Sequence, residues 1–142
     1  LAFVFSVNGL PLLYNGQEIG ARHSLSLFEN DQIDWMEQNE NLFAFYRKLI
    51  NLRREHPALY SKALITLAAE NRQTLVYLKQ DEKENILVIL NFSEQIVKIK
   101  PNFIQWGIKR LTELKPLLLR PKTMLDHAGL RLPAHSAEYY LL

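Results

Sequence analysis

The strongest constraint on this chain is a change of hydrophobic period near residue 60. From Asn39 to His56 the apolar residues Leu42, Phe45, Tyr46, Leu49, Ile50 and Leu52 recur three or four positions apart, so they share one face of an amphipathic helix. Asn39 is a ready N-cap, Glu40 suits the first turn, and Arg53 and Arg54 complement the negative end of the helix dipole. Pro57 pushes His56 out of helical geometry, so the helix is predicted to stop near Glu55. After Tyr60 the period falls to two. Ala63 to Ala68, Thr74 to Leu78, Ile86 to Phe92, Ile96 to Ile99 and Glu138 to Leu142 read as strands, with AENRQ, KQDEKEN and NFSEQ as turn clusters. Strands that follow one another without helices between them predict an antiparallel sandwich. The 101–132 stretch, with Pro101, Pro116 and Pro121, is expected to add one or two strands.

Composition narrows the chemistry. The absence of Cys excludes a disulfide scaffold, a zinc-thiolate site and a cysteine nucleophile, and leaves the compartment open. A formal excess of two positive charges gives no global field toward nucleic acid or a membrane. The basic residues Lys98, Lys100, Lys109, Arg110, Lys115, Arg120 and Lys122 cluster in one stretch. They are spaced by apolar residues and Pro, which reads as a solvated sheet face and not as a nucleic-acid arm. The apolar opening LAFVFSVNGLPLLY is broken by Ser6, Asn8, Gly9 and Pro11, well short of the ~20 residues that span a bilayer. It has no basic flank, so it does not read as a signal peptide, and no membrane partner is expected.

Leu10 to Tyr14 is a short apolar run bracketed by Gly9 and Gly16, as expected of a strand buried on both faces. A polar, acidic loop from Asn15 to Gln38 connects it to the predicted helix. Strand, loop and helix make one unit of an α/β barrel, and one unit cannot close a barrel of about 250 residues. The chain therefore reads as an α+β fragment: a barrel remnant over residues 1–58 (end of a helix, last strand, loop, last helix), then a sandwich over 59–142. A start inside an apolar run fits a piece of something longer.

The segments GLPLLYNGQEIG, FENDQIDW and FYRKLINLRREHPAL resemble the end of the catalytic TIM barrel in α-amylases and related family 13 glycoside hydrolases. In that family the last barrel strand reads Gly, any residue, Pro, two apolar residues, Tyr, any residue, Gly, acid or amide, Glu. Gly9, Pro11, Leu12, Leu13, Tyr14, Gly16, Gln17 and Glu18 match it throughout. ILVILNFS and LPAHSAEYYLL are similar to strands of the family's C-terminal domain. The resemblance implies a retaining enzyme acting on α-1,4-linked glucans such as starch. α-Glucosidase, cyclomaltodextrinase and trehalose-forming relatives stay open as alternatives, beside a non-catalytic sugar-binding or interaction module. Retaining chemistry needs two carboxylates about 5 to 5.5 Å apart. In the family these lie on earlier strands, so no catalytic residue is expected here and the chain alone is expected to be inactive. No cofactor is implied, and any calcium site of the parent would lie mostly outside this chain.

Loops at the C-terminal ends of barrel strands form the active site, which places Asn15 to Arg22 beside the sugar pocket of the parent. Gln17, Glu18 and Arg22 are the candidates there, with Gln17 and Arg22 the better placed to touch substrate. The competing reading has Gly9, Pro11 and Gly16 setting turns, Tyr14 packing, and Glu18 pairing with a barrel Arg. Asp31 and Asp34 read as turn residues. The four histidines, His23, His56, His127 and His135, show no metal-ligand spacing, and no metal site is expected. Trp106, in the basic stretch, is the one aromatic with a chance of exposure; packing inside the sandwich is its favoured reading, and a surface platform for a sugar is the alternative. Freed from barrel neighbours, Leu1 to Tyr14 is expected to pack on the helix, be disordered or associate with another chain.

Overall fold

The computed structural model describes residues 1–22, 26, 28–36, 38–69, 71–119, 121–126 and 129–142, and the statements below concern these. One antiparallel sheet has the order β1 (Ala63–Leu67), β2 (Thr74–Gln80), β3 (Asn85–Asn91), β8 (Ser136–Leu141), β5 (Lys115–Leu118). A smaller antiparallel sheet has the order β4 (Val97–Ile99), β7 (Gly129–Leu132), β6 (Met124–Asp126). Helices α1 (Ala2–Ser6) and α2 (Glu40–Glu55) cover the other face of the large sheet.

The continuous apolar run of β3 follows from this layering. Ile86, Val88 and Leu90 join the core beneath the helices, whereas Leu87 and Ile89 join the core between the sheets. A strand covered on both faces has no side left for polar residues. β3 is therefore central by composition as well as by position, flanked by β2 and β8.

Helix α2 forms as its sequence dictates. The Asn39 side-chain oxygen accepts the Leu42 N–H at 3.0 Å, and Pro57 ends the helix by opening a 3-10 turn over Pro57–Tyr60. Its stripe of Tyr46, Leu49 and Leu52 is buried, each side chain contributing about 1.5–3 kcal/mol of apolar burial. Helix α1 packs beside it, with Phe5 edge-on to the Tyr46 ring at 6.2 Å between centroids. Polar contacts then join the helical layer to the sheet. The Tyr139 hydroxyl donates to the Ala2 carbonyl at 2.6 Å, Ser6 Oγ hydrogen-bonds the Tyr77 hydroxyl, and one Glu84 carboxylate meets both His56 Nδ1 (2.8 Å) and the Ala58 N–H (3.2 Å).

Two regions depart from expectation. Residues 101–132 contain three strands, a four-residue helix α3 (Phe103–Trp106) and a 3-10 turn over Leu111–Glu113, elements too short to show a period in sequence. Leu10 to Tyr14 is paired into neither sheet among the described residues, and Leu10 and Leu12 are 96% and 82% exposed. The run lies between Gly9 at φ 103° and Gly16 at φ 88°, and no strand edge among the described residues is aligned with it to complete a ladder. Leu13 nevertheless packs against the core beneath the helices.

Candidate functional site

The glycines of the Gly9 to Gly20 motif now have a geometric role. Gly16 sits at φ 88°, where a side chain would be strained and its Cβ would lie 3.1 Å from Ala21 Cβ. This turn redirects the chain into one 3-10 turn, Gln17–Ile19, that docks on the start of α2. The Ile19 carbonyl accepts the Asn39 N–H at 3.0 Å, Ile19 is buried, and Gly20 lies against Leu42 and Asn39.

The three candidates on this turn point in different directions. Gln17 is exposed, and its Oε1 accepts the Tyr14 N–H at 3.0 Å, which fixes the side chain over its own loop. Glu18 is half-buried, and its Oε2 is buried with no hydrogen-bond partner among the described residues. Its charge faces Tyr46, whose phenol is shifted above the ordinary tyrosine range first by burial and then by Glu18. Arg22 is exposed and lines a polar depression of about 660 Å³ with Ile19, Gly20, Ala21, Asp34, Gln38 and Asn39.

The acids of the same loop do turn work. Asp34 Oδ1 accepts the Met36 N–H at 2.8 Å, and Asp31 Oδ2 accepts the Ser26 N–H at 3.0 Å. His23 and His127 lie outside the described residues. His56 is held by Glu84, and His135 is exposed at φ 48°. Among the described residues no group of three His, Asp or Glu side chains is placed to hold a metal ion.

Trp106 packs inside the sandwich, the favoured of its two readings, and is not the exposed sugar platform of the other. It is 1% exposed and sits in the core between the two sheets, while Ile104 on the other side of α3 is 94% exposed. A short helix buries one face, and the larger apolar side chain took it. Trp106 lies across the large sheet from α2 and the Gln17–Ile19 turn.

Sequence reasoning missed Lys79 and Arg53. Both are buried; Lys79 carries no motif, and Arg53 lies in FYRKLINLRREHPAL but was read only as a partner of its own helix dipole. The alternation of β2 is the only signal for Lys79, since it places Lys79 on the same face as Tyr77.

Comparison with known proteins matches residues 64–137 to the family described as Maltogenic Amylase, C-terminal domain. The chain is 32% identical over 104 residues to Alpha-amylase 2 of Dictyoglomus thermophilum, covering 66% of this chain and 18% of that protein. It is 30% identical over 125 residues to the Maltogenic alpha-amylase of Bacillus acidopullulyticus, covering 83% of this chain and 21% of that protein. The crystal structure of an Anoxybacillus alpha-amylase superposes with a TM-score of 0.77 at 22% identity, over 99% of this chain and 30% of that one. The chain thus spans about a fifth of the length of the curated relatives it matches. Its sandwich, its strand order and these matches together place the chain in the maltogenic amylase C-terminal domain family, as the C-terminal part of a family 13 amylase-like enzyme.

Proposed function

We propose that this chain completes a retaining glycoside hydrolase acting on α-1,4-linked glucans. Residues 1–58 form the last strand, loop and helix of its catalytic barrel, and residues 59–142 form the sandwich behind them. The observation that carries this reading is the reach of the sequence match. The Maltogenic alpha-amylase similarity covers 83% of the chain, more than residues 59–142 alone could supply, so it extends into the helical part. The geometry supports it. Leu10 and Leu12 hold apolar side chains out on a segment that parallel strands would cover, and the buried, unpartnered Glu18 oxygen suits a donor from such a neighbour.

On this reading the chemistry is shared. The nucleophile and acid carboxylates come from preceding strands, and this chain supplies one wall of the pocket, where Arg22 and Gln17 reach the glucan hydroxyls and Glu18 braces the turn. In isolation the uncovered Leu1 to Tyr14 segment promotes self-association.

The test is a chimera in which this chain replaces the matching C-terminal fifth of the Bacillus acidopullulyticus enzyme. Hydrolysis of maltoheptaose is expected, with Arg22→Ala raising KM several-fold. A folded chimera without hydrolysis, or one whose KM ignores Arg22, overturns the assignment of the pocket wall. Titration of the isolated chain with maltoheptaose is expected to show no binding; saturable binding would favour a self-sufficient sugar-binding module instead.

A further inference from the structure

Arg53 and Lys79 form a buried cationic pair built around one short segment. Arg53 donates to the carbonyls of Phe5 (2.7 Å), Val7 (3.1 Å) and Gly9, and to that of Leu59 (3.2 Å). It thereby caps the carbonyl end of α1, where the helix dipole is negative, and holds the chain that leaves it. Lys79, fully buried on β2, donates to Asn8 Oδ1 (2.7 Å) and to the Ser61 carbonyl (2.6 Å), while Asn8 Nδ2 donates to the Lys62 carbonyl (3.2 Å). The described hydrogen-bond partners of both cations are neutral oxygens, and the Arg53 guanidinium also lies 5.9 Å from the centroid of the Tyr60 ring. Burying two positive charges without a carboxylate is costly, so the arrangement is poorly explained as a source of stability.

Its geometry fits another task. Arg53 sits in the last turn of α2 and holds Gly9, while the N-cap residue of the same helix, Asn39, holds Ile19 through its backbone N–H. Fourteen helical steps from Asn39 to Arg53 measure about 21 Å. The five steps from Gly9 to Tyr14 span at most about 17 Å when extended, and the Tyr14 to Gln17 turn adds less than about 7 Å before the chain reaches Ile19. With the Tyr14–Gln17 turn formed the segment has little slack along α2, and Gly9 is one of the two points that hold the Gln17–Ile19 turn in place.

We infer that Arg53 and Lys79 are positioning residues, a latch through which the sandwich sets where the Gln17 to Arg22 turn stands. The functional consequence rests on the reading that this turn borders the glucan. The latch makes the sandwich part of the geometry of that site, from the far end of α2.

The experiment is residue-resolved amide hydrogen exchange on the full 142-residue chain, comparing Arg53→Lys and Asn8→Ala with the unaltered sequence. The reporters are the Gln17, Gly20 and Ala21 amides, bonded to the Tyr14, Gln17 and Gly16 carbonyls, and the amides of β3 serve as the internal reference. A lysine keeps the charge of Arg53 but cannot reach four carbonyls. Asn8 is exposed, so its substitution cuts the latch without touching either core. Exchange at the three reporters is expected to rise at least tenfold in both variants while β3 stays unchanged. Unchanged reporters overturn the proposal, and so does an equal rise at the reporters and β3, which would mark a purely structural role. The readout involves no sugar, so a pocket assignment lost in the chimera would leave this result standing.

Discussion

Replacing Leu49 by Ala should loosen a core that lies on the opposite side of a sheet from the reporter that detects it. Leu49 is 1% exposed on α2 and packs among residues that include Tyr77, Ile86 and Val88 of the large sheet. The substitution removes three carbons, about 2.4 kcal/mol at ~0.8 kcal/mol per methylene. The cavity left in a sheet-backed core brings the loss to about 3–4 kcal/mol, inside the ~2–5 kcal/mol range for such truncations. For a chain of this size that is a fall in Tm of roughly 6–16 °C, at ~2–4 °C per kcal/mol. Trp106 provides the assay. With Trp35→Phe as background it is the sole tryptophan, and it reports the core between the sheets. Because β3 lines both cores, urea titration followed by Trp106 fluorescence and by helix ellipticity should show one coincident transition, shifted equally in both probes. Leu12→Ala, at an 82% exposed position, should move it by less than about 0.5 kcal/mol. If helix signal is lost first while the Trp106 midpoint stays in place, the helical layer and the sandwich are separate cooperative units and the shared-core argument fails.

Alkaline pH should also unfold the chain. Burial raises the phenols of Tyr77, to about 12, and of Tyr139 and Tyr140, so their neutral forms are favoured in the folded state. That stability is complete below the unfolded value of about 10 and drains away as pH rises through the folded values. Burial, then the neighbouring Arg53, lowers Lys79, which gives the opposite slope: stability gained between its folded value and about 10.5. Urea midpoints measured from pH 8 to 12 should therefore fall steeply above pH 10. Tyr77→Phe should flatten the fall, and an unchanged slope would remove Tyr77 from the account. Gly129→Ala should be severe, because at φ 133° its Cβ would sit 2.3 Å from the Ile99 carbonyl oxygen of the neighbouring strand. A loss above about 3 kcal/mol is expected from strain plus displacement of β4, and a loss below about 1 kcal/mol by denaturant titration would contradict the close approach.

Where the sequence was readable, one local signal pointed the same way as the tertiary structure. Asn39 caps α2 and Pro57 ends it, so the predicted helix and the observed Glu40–Glu55 coincide. Ile86 to Phe92 read as a strand, and it is the central strand of the large sheet, covered on both faces. The turn at Gly16 followed from the motif's glycines, but the docking of Gln17–Ile19 on α2 rests on a contact between Ile19 and Asn39 that no motif showed. Trp106 kept two readings because an isolated tryptophan in a basic stretch says nothing about which side of a four-residue helix it occupies. Arg53 was read as a dipole partner of its own helix. It instead caps the carbonyls of another, a role visible only once α1 lies beside it. Lys79 and Glu138 sit in strands whose polar residues would ordinarily face water, and both are fully buried. Glu138 accepts from Thr123 Oγ1 at 2.6 Å, a partner fifteen positions away that no period reveals.

The bond from Tyr139 to Ala2 joins residues 137 positions apart. During synthesis α1 and α2 leave the ribosome with their apolar faces exposed, and β8, which lies between β3 and β5 and contributes Ala137 and Tyr139 to the core beneath the helices, follows α2 about eighty residues later. That core cannot close until β8 has emerged. The nascent chain must therefore keep α2 soluble until β8 is made, and the slowest step in folding these residues should be the insertion of β8. A stop codon that removes the last strand would leave the helices without a floor, and the chain open to aggregation.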